Sequence, residues 1–426
     1  FKGRYGSTLF EKHFCDDLQI NDDVLLIVIE GLYQSKQKAI QYNFAEIEHD
    51  TLGKIYENYL GTIQQKKDGA YYTPSYISKY ICENTIIPYL SKSNITNIHD
   101  LISEYAENLE DLESKIQNIK ILDPACGTGE FLIRAIDVLL DISKQIQEQK
   151  EMQGHYTHTV KKKKSGSATF QTFDKDVENQ ELRTIIRNNI HGVDINEEAI
   201  EITQLNLFLK LATSSQLLMD VSKNIRIGNS LVDDPNIDPN AFDWEKEFPE
   251  KFDVIVGNPP YLRVQGLHEN YGKSIEFLEE KFRSATGRYD FYVFFIEKGS
   301  QLLNDNGLLG FITPNKFLGS EYGRGIRKII FEKNILFLFL NFKHNFVWKK
   351  VSTYTGIIIL KNSSNPTFLY NEIETIKEGT LETKVNRLIK NDFTKMNSNI
   401  LESKKWNLKS GKELTILEKI ENSGRS

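Results

Sequence analysis

The stretch Ile119-Lys120-Ile121-Leu122-Asp123-Pro124-Ala125-Cys126-Gly127-Thr128-Gly129-Glu130-Phe131 sets the fold of this chain. A short β-branched run ends in an acid, a glycine-bearing turn follows, and an amphipathic stretch over 130–147 begins at once. Strand, tight turn and helix in that order open a parallel α/β unit. Ligands in such sheets sit at the carboxyl ends of the strands, and glycines at 127 and 129 let the backbone turn sharply and approach a ligand closely. A dinucleotide fingerprint needs a third glycine at position 132, where Leu132 stands, and no Gly-Lys-Ser/Thr ending marks a phosphate loop. NAD and ATP are therefore poor fits.

Downstream, strand-like runs recur over 190–194, 225–228, 252–257, 307–313, 335–342 and 354–361, alternating with helical stretches over 197–212, 291–303 and 320–332. The last two strands have no helix between them and should pair antiparallel, because a parallel pair needs a long crossover. The expected fold class is thus α/β, a seven-stranded Rossmann-like sheet over 119–362 with its last strand antiparallel. A polar insert over 148–176, with a lysine run at 161–164, reads as a mobile surface excursion. Upstream, residues 1–118 read as a helical region: apolar residues recur at helical spacing through Ile47, Leu52, Ile55, Tyr59 and Leu60 and again through Ile77, Tyr80, Ile81, Ile86 and Ile87. After 365 the alternation stops, and 363–426 reads as a linker and the start of a further domain.

Composition narrows the class. A chain of 426 residues exceeds one ordinary core and suits two or three domains. The apolar runs at 336–340 and 357–360 are strand-sized and far short of a bilayer span, and no signal peptide is visible. Cys15, Cys82 and Cys126 are widely spaced, which suggests neither a disulfide framework nor a metal site and suits a reducing cytoplasm. The net charge of −6 does not favour a phosphate-binding surface, although Arg324, Arg327 and Lys328, and Lys349 with Lys350, form local positive clusters that solvated surface charge explains equally well. The chain opens at Phe1 without an initiator Met, and its polar ending reads as a cut, so a longer parent protein is expected.

Three further positions suggest chemistry. Asp194 ends the second strand, where a carboxylate can accept both hydroxyls of a ribose. Asn229 ends the third, where its amide would face an adenine ring edge or simply close a turn. Asn258-Pro259-Pro260-Tyr261 follows the apolar fourth strand; two prolines stop the strand and free the Pro259 carbonyl. If that carbonyl and the Asn258 side-chain oxygen both accept hydrogens from a planar amine, its delocalised lone pair becomes available without any general base. Tyr261 would stack on the ring carrying the amine, a contact worth roughly 1–3 kcal/mol.

With these motifs in order, the chain from about 52 to 360 resembles the amino-methyltransferases, and within them the gamma-class DNA adenine-N6 methyltransferases of type I and type IIG restriction-modification systems. The resemblance implies S-adenosyl-L-methionine as cofactor. Gly69-Ala70-Tyr71-Tyr72-Thr73-Pro74 matches the segment that closes over its methionine part, which brings Tyr72, Thr73 and Pro74 into the cofactor set. The rest of that set is Asp123, Pro124, Ala125, Cys126, Gly127, Gly129, Phe131, Asp194, Ile195, Asn229, Ser230 and Asn258.

Residues 306–314 match the supporting strand, and 346–353 the motif whose aromatic packs on a flipped adenine. Phe346 would then hold the base opposite Tyr261, with Lys349 and Lys350 near the DNA backbone. The implied partners are double-stranded DNA and either a fused nuclease or a separate specificity or restriction subunit, with no membrane. Two departures stand out: Asn229 replaces a common acid, and the 148–176 insert separates the first two strands. An RNA or protein-glutamine methyltransferase, or a catalytically inactive DNA-binding subunit, are the competing readings.

Overall fold

A computed structural model describes residues 72–154, 169–211, 219–262, 268–287, 289–348, 353–376, 378–402 and 404–409. The helical expectation for 1–71, the lysine run at 161–164 and the pair Lys349 and Lys350 fall outside them. Three helices lead into the sheet: α1 (Ser75–Leu90), α2 (Ile98–Glu104) and α3 (Leu109–Asn118). Asn97 and Asn108 cap the second and third, their side chains accepting from the backbone N–H groups of Asp100 and Asp111.

The expected strands are all present: β1 (Ile121–Asp123), β2 (Ile190–Asp194), β3 (Ile225–Ile227), β4 (Phe252–Gly257), β5 (Leu303–Pro314), β6 (Leu336–Asn341) and β7 (Thr355–Lys361). Between them run α4 (Glu130–Met152), α5 (Thr169–Asn188), α6 (Glu197–Leu211), the short α7 (Trp244–Glu247), α8 (His268–Lys281), α9 (Tyr292–Leu302) and α10 (Arg324–Lys333). β7 lies antiparallel to both β5 and β6, as the short 342–354 connection requires.

The sheet has nine strands rather than seven, in the order β3-β2-β1-β4-β5-β7-β6-β8-β9. The additions are β8 (Thr367–Glu372), parallel to β6, and β9 (Thr394–Asn397), antiparallel to β8, with α11 (Leu381–Val385) between them. β8 escapes a reading by apolar runs because it is short and half-buried, alternating inward and outward. The 148–176 insert is also more ordered at its ends than a surface loop: α4 continues to Met152, and α5 begins at Thr169.

Successive strand residues feed two cores on opposite faces. Ile121, Val254, Val256, Leu308 and Ile312 pack with Ile81 and Ile86 of α1, Leu132, Ile136 and Leu139 of α4 and Leu207 of α6. Leu122, Ile255, Leu309 and Phe311 pack with Val293, Phe294 and Ile296 of α9 and Ile326 and Ile330 of α10. The helix after β1 therefore covers one face and the helix nearest after β4 in the core covers the other. Among the described residues, no helix is long and apolar enough to cross a membrane.

Gly310 lets α1 dock on β5. A Cβ there would lie 2.6 Å from Thr85 Cγ2 and 2.8 Å from Ile81 Cγ2. Gly310→Ala should destabilise the protein by about 1–3 kcal/mol through overpacking. Denaturant unfolding measures the loss, and hydrogen exchange should show α1 amides loosened more than those of α9.

Candidate active site

The chain after β1 makes a turn that favours glycine: Gly127 (φ 52°) and Gly129 (φ 87°) are both left-handed. A Cβ on Gly129 would strike Thr203 Cγ2 at 2.9 Å, whereas one on Gly127 would meet nothing within 4 Å, so Gly127 borders open space. The turn is held from three directions. Asp194 Oδ2 accepts the Gly127 N–H at 2.8 Å, and Oδ1 accepts the Asn196 N–H at 2.9 Å. Thr203 Oγ1 donates to the Gly127 carbonyl at 2.7 Å and Asn206 Nδ2 to that of Thr128 at 2.9 Å, both from one face of α6. The Cys126 N–H donates to the Val193 carbonyl at 3.0 Å.

Burial pushes the Asp194 carboxyl above the ordinary carboxylate range, against the backbone N–H groups that favour its charge. Its oxygens have lone pairs beyond those the backbone N–H groups take, which is what hydroxyl recognition needs. Ile195 beside it is half exposed. Asp123 is buried, accepts the Ala125 N–H at 3.0 Å, and is held well above the usual carboxylate range by desolvation, with the nearby Asp194 charge adding to the rise. Cys126 and Phe131 are buried side chains; Phe131 belongs to the core, and Cys126 Sγ would lie 3.0 Å from a Cβ on Gly192. Ser230 Oγ donates to the Pro124 carbonyl at 2.6 Å. The Asn229 amide is bonded within its own loop, Nδ2 to Asp238 Oδ2 at 2.7 Å and Oδ1 from the Leu231 N–H at 3.0 Å, which gives it a loop-bracing role.

β4 runs fully buried between β1 and β5 and delivers Asn258 beside the glycine turn. A Cβ on Gly257 would come within 2.7 Å of Asp123 Oδ1, so glycine lets the two strand ends converge. Asn258 Nδ2 donates to Thr73 Oγ1 at 3.1 Å, which turns the amide oxygen the other way. Pro259 is buried and Pro260 half-buried. Tyr261 donates through its hydroxyl to the Ile312 carbonyl of β5 at 3.2 Å, and its ring meets Tyr292 and Trp348 edge-on, at 6.4 and 6.0 Å between centroids.

The segment before α1 closes one side. Tyr72 donates through its hydroxyl to Glu130 Oε2 at 2.7 Å, while Ser78 and Arg134 bond Glu130 Oε1 at 2.8 and 3.0 Å. Trp348 Nε1 donates to the Tyr72 carbonyl at 2.6 Å. Phe346, 47% exposed, stacks on Tyr354 at 5.0 Å between centroids, so Trp348 rather than Phe346 is the aromatic against Tyr261. Sequence reasoning passed over Glu130, Thr203, Asn206 and Trp348. The three-residue spacing of Thr203 and Asn206 on a helix was a usable signal, and Trp348 lies within the matched 346–353 segment; Glu130 carried none. A cavity of about 730 Å³ on another face of α1, lined among others by Tyr76, Lys79, Leu338 and Lys390, contains none of the strand-end residues above.

Strand ends, glycine turn and Asn-Pro-Pro-Tyr loop together define a Rossmann-like domain with its site at the carboxyl edge of the sheet. Residues 188–348 match the family model described as Eco57I restriction-modification methylase. The chain is similar to the type II restriction enzyme and methyltransferase RM.Eco57I of Escherichia coli, 29% identical over 411 residues, covering 88% of this chain and 37% of the relative. It is also similar to the adenine-specific methyltransferase PglX of Streptomyces coelicolor, 23% identical over 310 residues, covering 64% of this chain and 21% of that protein. It thus spans well under two thirds of either relative's length. In fold it is similar to the type IIL restriction-modification enzyme MmeI, solved in complex with DNA, with a TM-score of 0.56 and 14% identity over 80% of this chain and 43% of that one.

The Asp123 carboxyl offers a test of this geometry. Its folded-state pKa lies above the unfolded one, so the native state holds the proton to higher pH, and stability falls as pH rises from the ordinary carboxylate range to the folded value. Asp123→Asn keeps an acceptor for Ala125 but cannot ionise. The stability of the variant relative to the unsubstituted protein should climb with pH across that window and then level off in urea unfolding. A difference that falls with pH would contradict the buried carboxyl.

Proposed function

We propose that this chain transfers the methyl group of S-adenosyl-L-methionine to the N6 amino group of adenine in duplex DNA, as the modification part of a restriction-modification enzyme. The observation that carries this reading is Asn258. It stands at the carboxyl end of β4, beside the glycine turn, with its amide nitrogen bound to Thr73. That bond orients the amide so that its oxygen can serve as an acceptor for a substrate amine. With the Pro259 carbonyl accepting the second hydrogen, the amine nitrogen is drawn toward a tetrahedral geometry and its lone pair is released for attack. The proton leaves after transfer.

The donor pocket has the features this cofactor needs. Open space in front of Gly127 admits a ligand against the backbone, Asp194 offers carboxylate lone pairs for ribose hydroxyls, and Tyr72 to Pro74 form a wall beside them. When bound, S-adenosyl-L-methionine supplies an electrophilic methyl group on a sulfonium. On the base side, Tyr261 would stack on an extruded adenine, with Phe346, half-exposed and stacked on Tyr354, as the second aromatic. Lys349 and Lys350 would meet the phosphate backbone.

The relatives support this reading: one is called a restriction enzyme and methyltransferase, another adenine-specific, and MmeI was solved with DNA. We further assign the helical region to 118 and the sheet from 119 to one methyltransferase unit, which includes β8 and β9 because they pair into the same sheet, with a target-recognition domain beyond it. A nuclease, fused or on a separate subunit, would complete the system in the cytoplasm at the nucleoid.

Asn258→Ala should lower methyl transfer by about 10²–10³-fold, the usual loss for one charge-stabilising contact. Binding of S-adenosylhomocysteine should change only a few-fold. Tritiated methyl transfer to duplex DNA, followed by nucleoside mass spectrometry for N6-methyladenine, reads the first; calorimetry reads the second. A methylated product other than N6-methyladenine would overturn the substrate assignment.

A further inference from the structure

Trp348 sits in the loop between β6 and β7 and touches two parts of the site. Its indole Nε1 donates to the Tyr72 carbonyl at 2.6 Å, and its ring meets the Tyr261 ring edge-on at 6.0 Å. Tyr72 lies on the donor side: its hydroxyl bonds Glu130, the first residue of the helix that the glycine turn begins. Thr73, next in the chain, receives the Asn258 amide. Tyr261 lies on the base side, anchored to β5 through its hydroxyl. A half-buried tryptophan whose indole N–H bonds one wall while its ring meets the other is in contact with both at once.

We propose that Trp348 is a positioning residue that couples occupancy of the methyl-donor pocket to the setting of the target-base pocket. Filling the donor side fixes the Tyr72 segment, the Nε1–carbonyl bond carries that restraint to the indole, and the indole sets the Tyr261 ring. The proposal rests on the methyltransferase reading above. Coupling of this kind is reciprocal, so DNA must tighten binding of the donor-side ligand by the factor with which that ligand tightens DNA binding.

The test uses the full-length protein and measures by calorimetry the affinity for S-adenosylhomocysteine, alone and saturated with duplex DNA lacking methylated adenine. The ratio of the two affinities should be about fivefold or more in the unsubstituted protein. Trp348→Phe keeps a ring and removes the donor, and its ratio should fall close to one. Trp348→His retains an N–H donor and should recover part of the coupling. Because each ratio comes from one preparation, an unfolded fraction does not alter it, and a purely structural role would not move it. The proposal is overturned if Trp348→Phe keeps the original ratio, if the unsubstituted protein shows none, or if Trp348→His is as uncoupled as Trp348→Phe. Failure of the unsubstituted protein to bind S-adenosylhomocysteine at all would instead sink the methyltransferase reading itself.

Discussion

Between β1 and β4 the sheet reverses the direction in which the chain builds it. From β1 the chain steps outward through β2 and β3; it then returns to the other side of β1 and proceeds through β4 and β5. α4, leaving β1, buries Leu132 and Ile136 in one core, while α9, entering β5 after β4, buries Val293 and Ile296 in the other. Neighbouring strands whose helices part to opposite faces leave a crevice at their carboxyl ends. Asp123 and Asn258 stand at those two ends, so the position of the site is a consequence of strand order. Removing the glycine at 257 would fill the contact where the two ends converge.

The crevice alone would be open on one side, and the Tyr72-Thr73 dipeptide closes it. Two residues bond three elements: the helix after the glycine turn through Glu130, the loop after β4 through Asn258, and the β6–β7 loop through Trp348. Each bond orders side chains at an entropic cost. Spending three of them on one short extended segment makes sense where the relative placement of those elements matters more than the stability of any one.

The backbone frame was legible because its signals are local. Val254-Ile255-Val256 and Ile357-Ile358-Ile359-Leu360 are apolar throughout since both strands are buried on both faces, and Asp123, Gly127, Asp194 and Asn258 each stand at or just after a strand end. β8 and β9 were not legible: they are short, β8 is buried only on alternate residues and β9 only at Met396, and both are specified by pairing with β6 and with each other. The helical ends of the 148–176 insert were hidden by a polar composition that surface helices share with loops. The bonds that brace the site were hidden for a different reason. Trp348 and Tyr72 are 276 positions apart and Thr203 and Gly127 are 76 apart, so no window of sequence contains both partners.

Two carboxyls end adjacent strands, and their environments separate them. Asp123 is sealed behind the Asn258 loop with one backbone N–H for company, and the charge on Asp194 raises its pKa further. Asp194 reaches the strand end with backbone N–H groups from Gly127, Ile195 and Asn196 favouring its ionised form. Where burial raises two neighbouring acids, the one that accepts more backbone N–H bonds is raised less. Asp123 is thus held further above its ordinary range, and Asp194 is the acid that braces the turn through the Gly127 N–H.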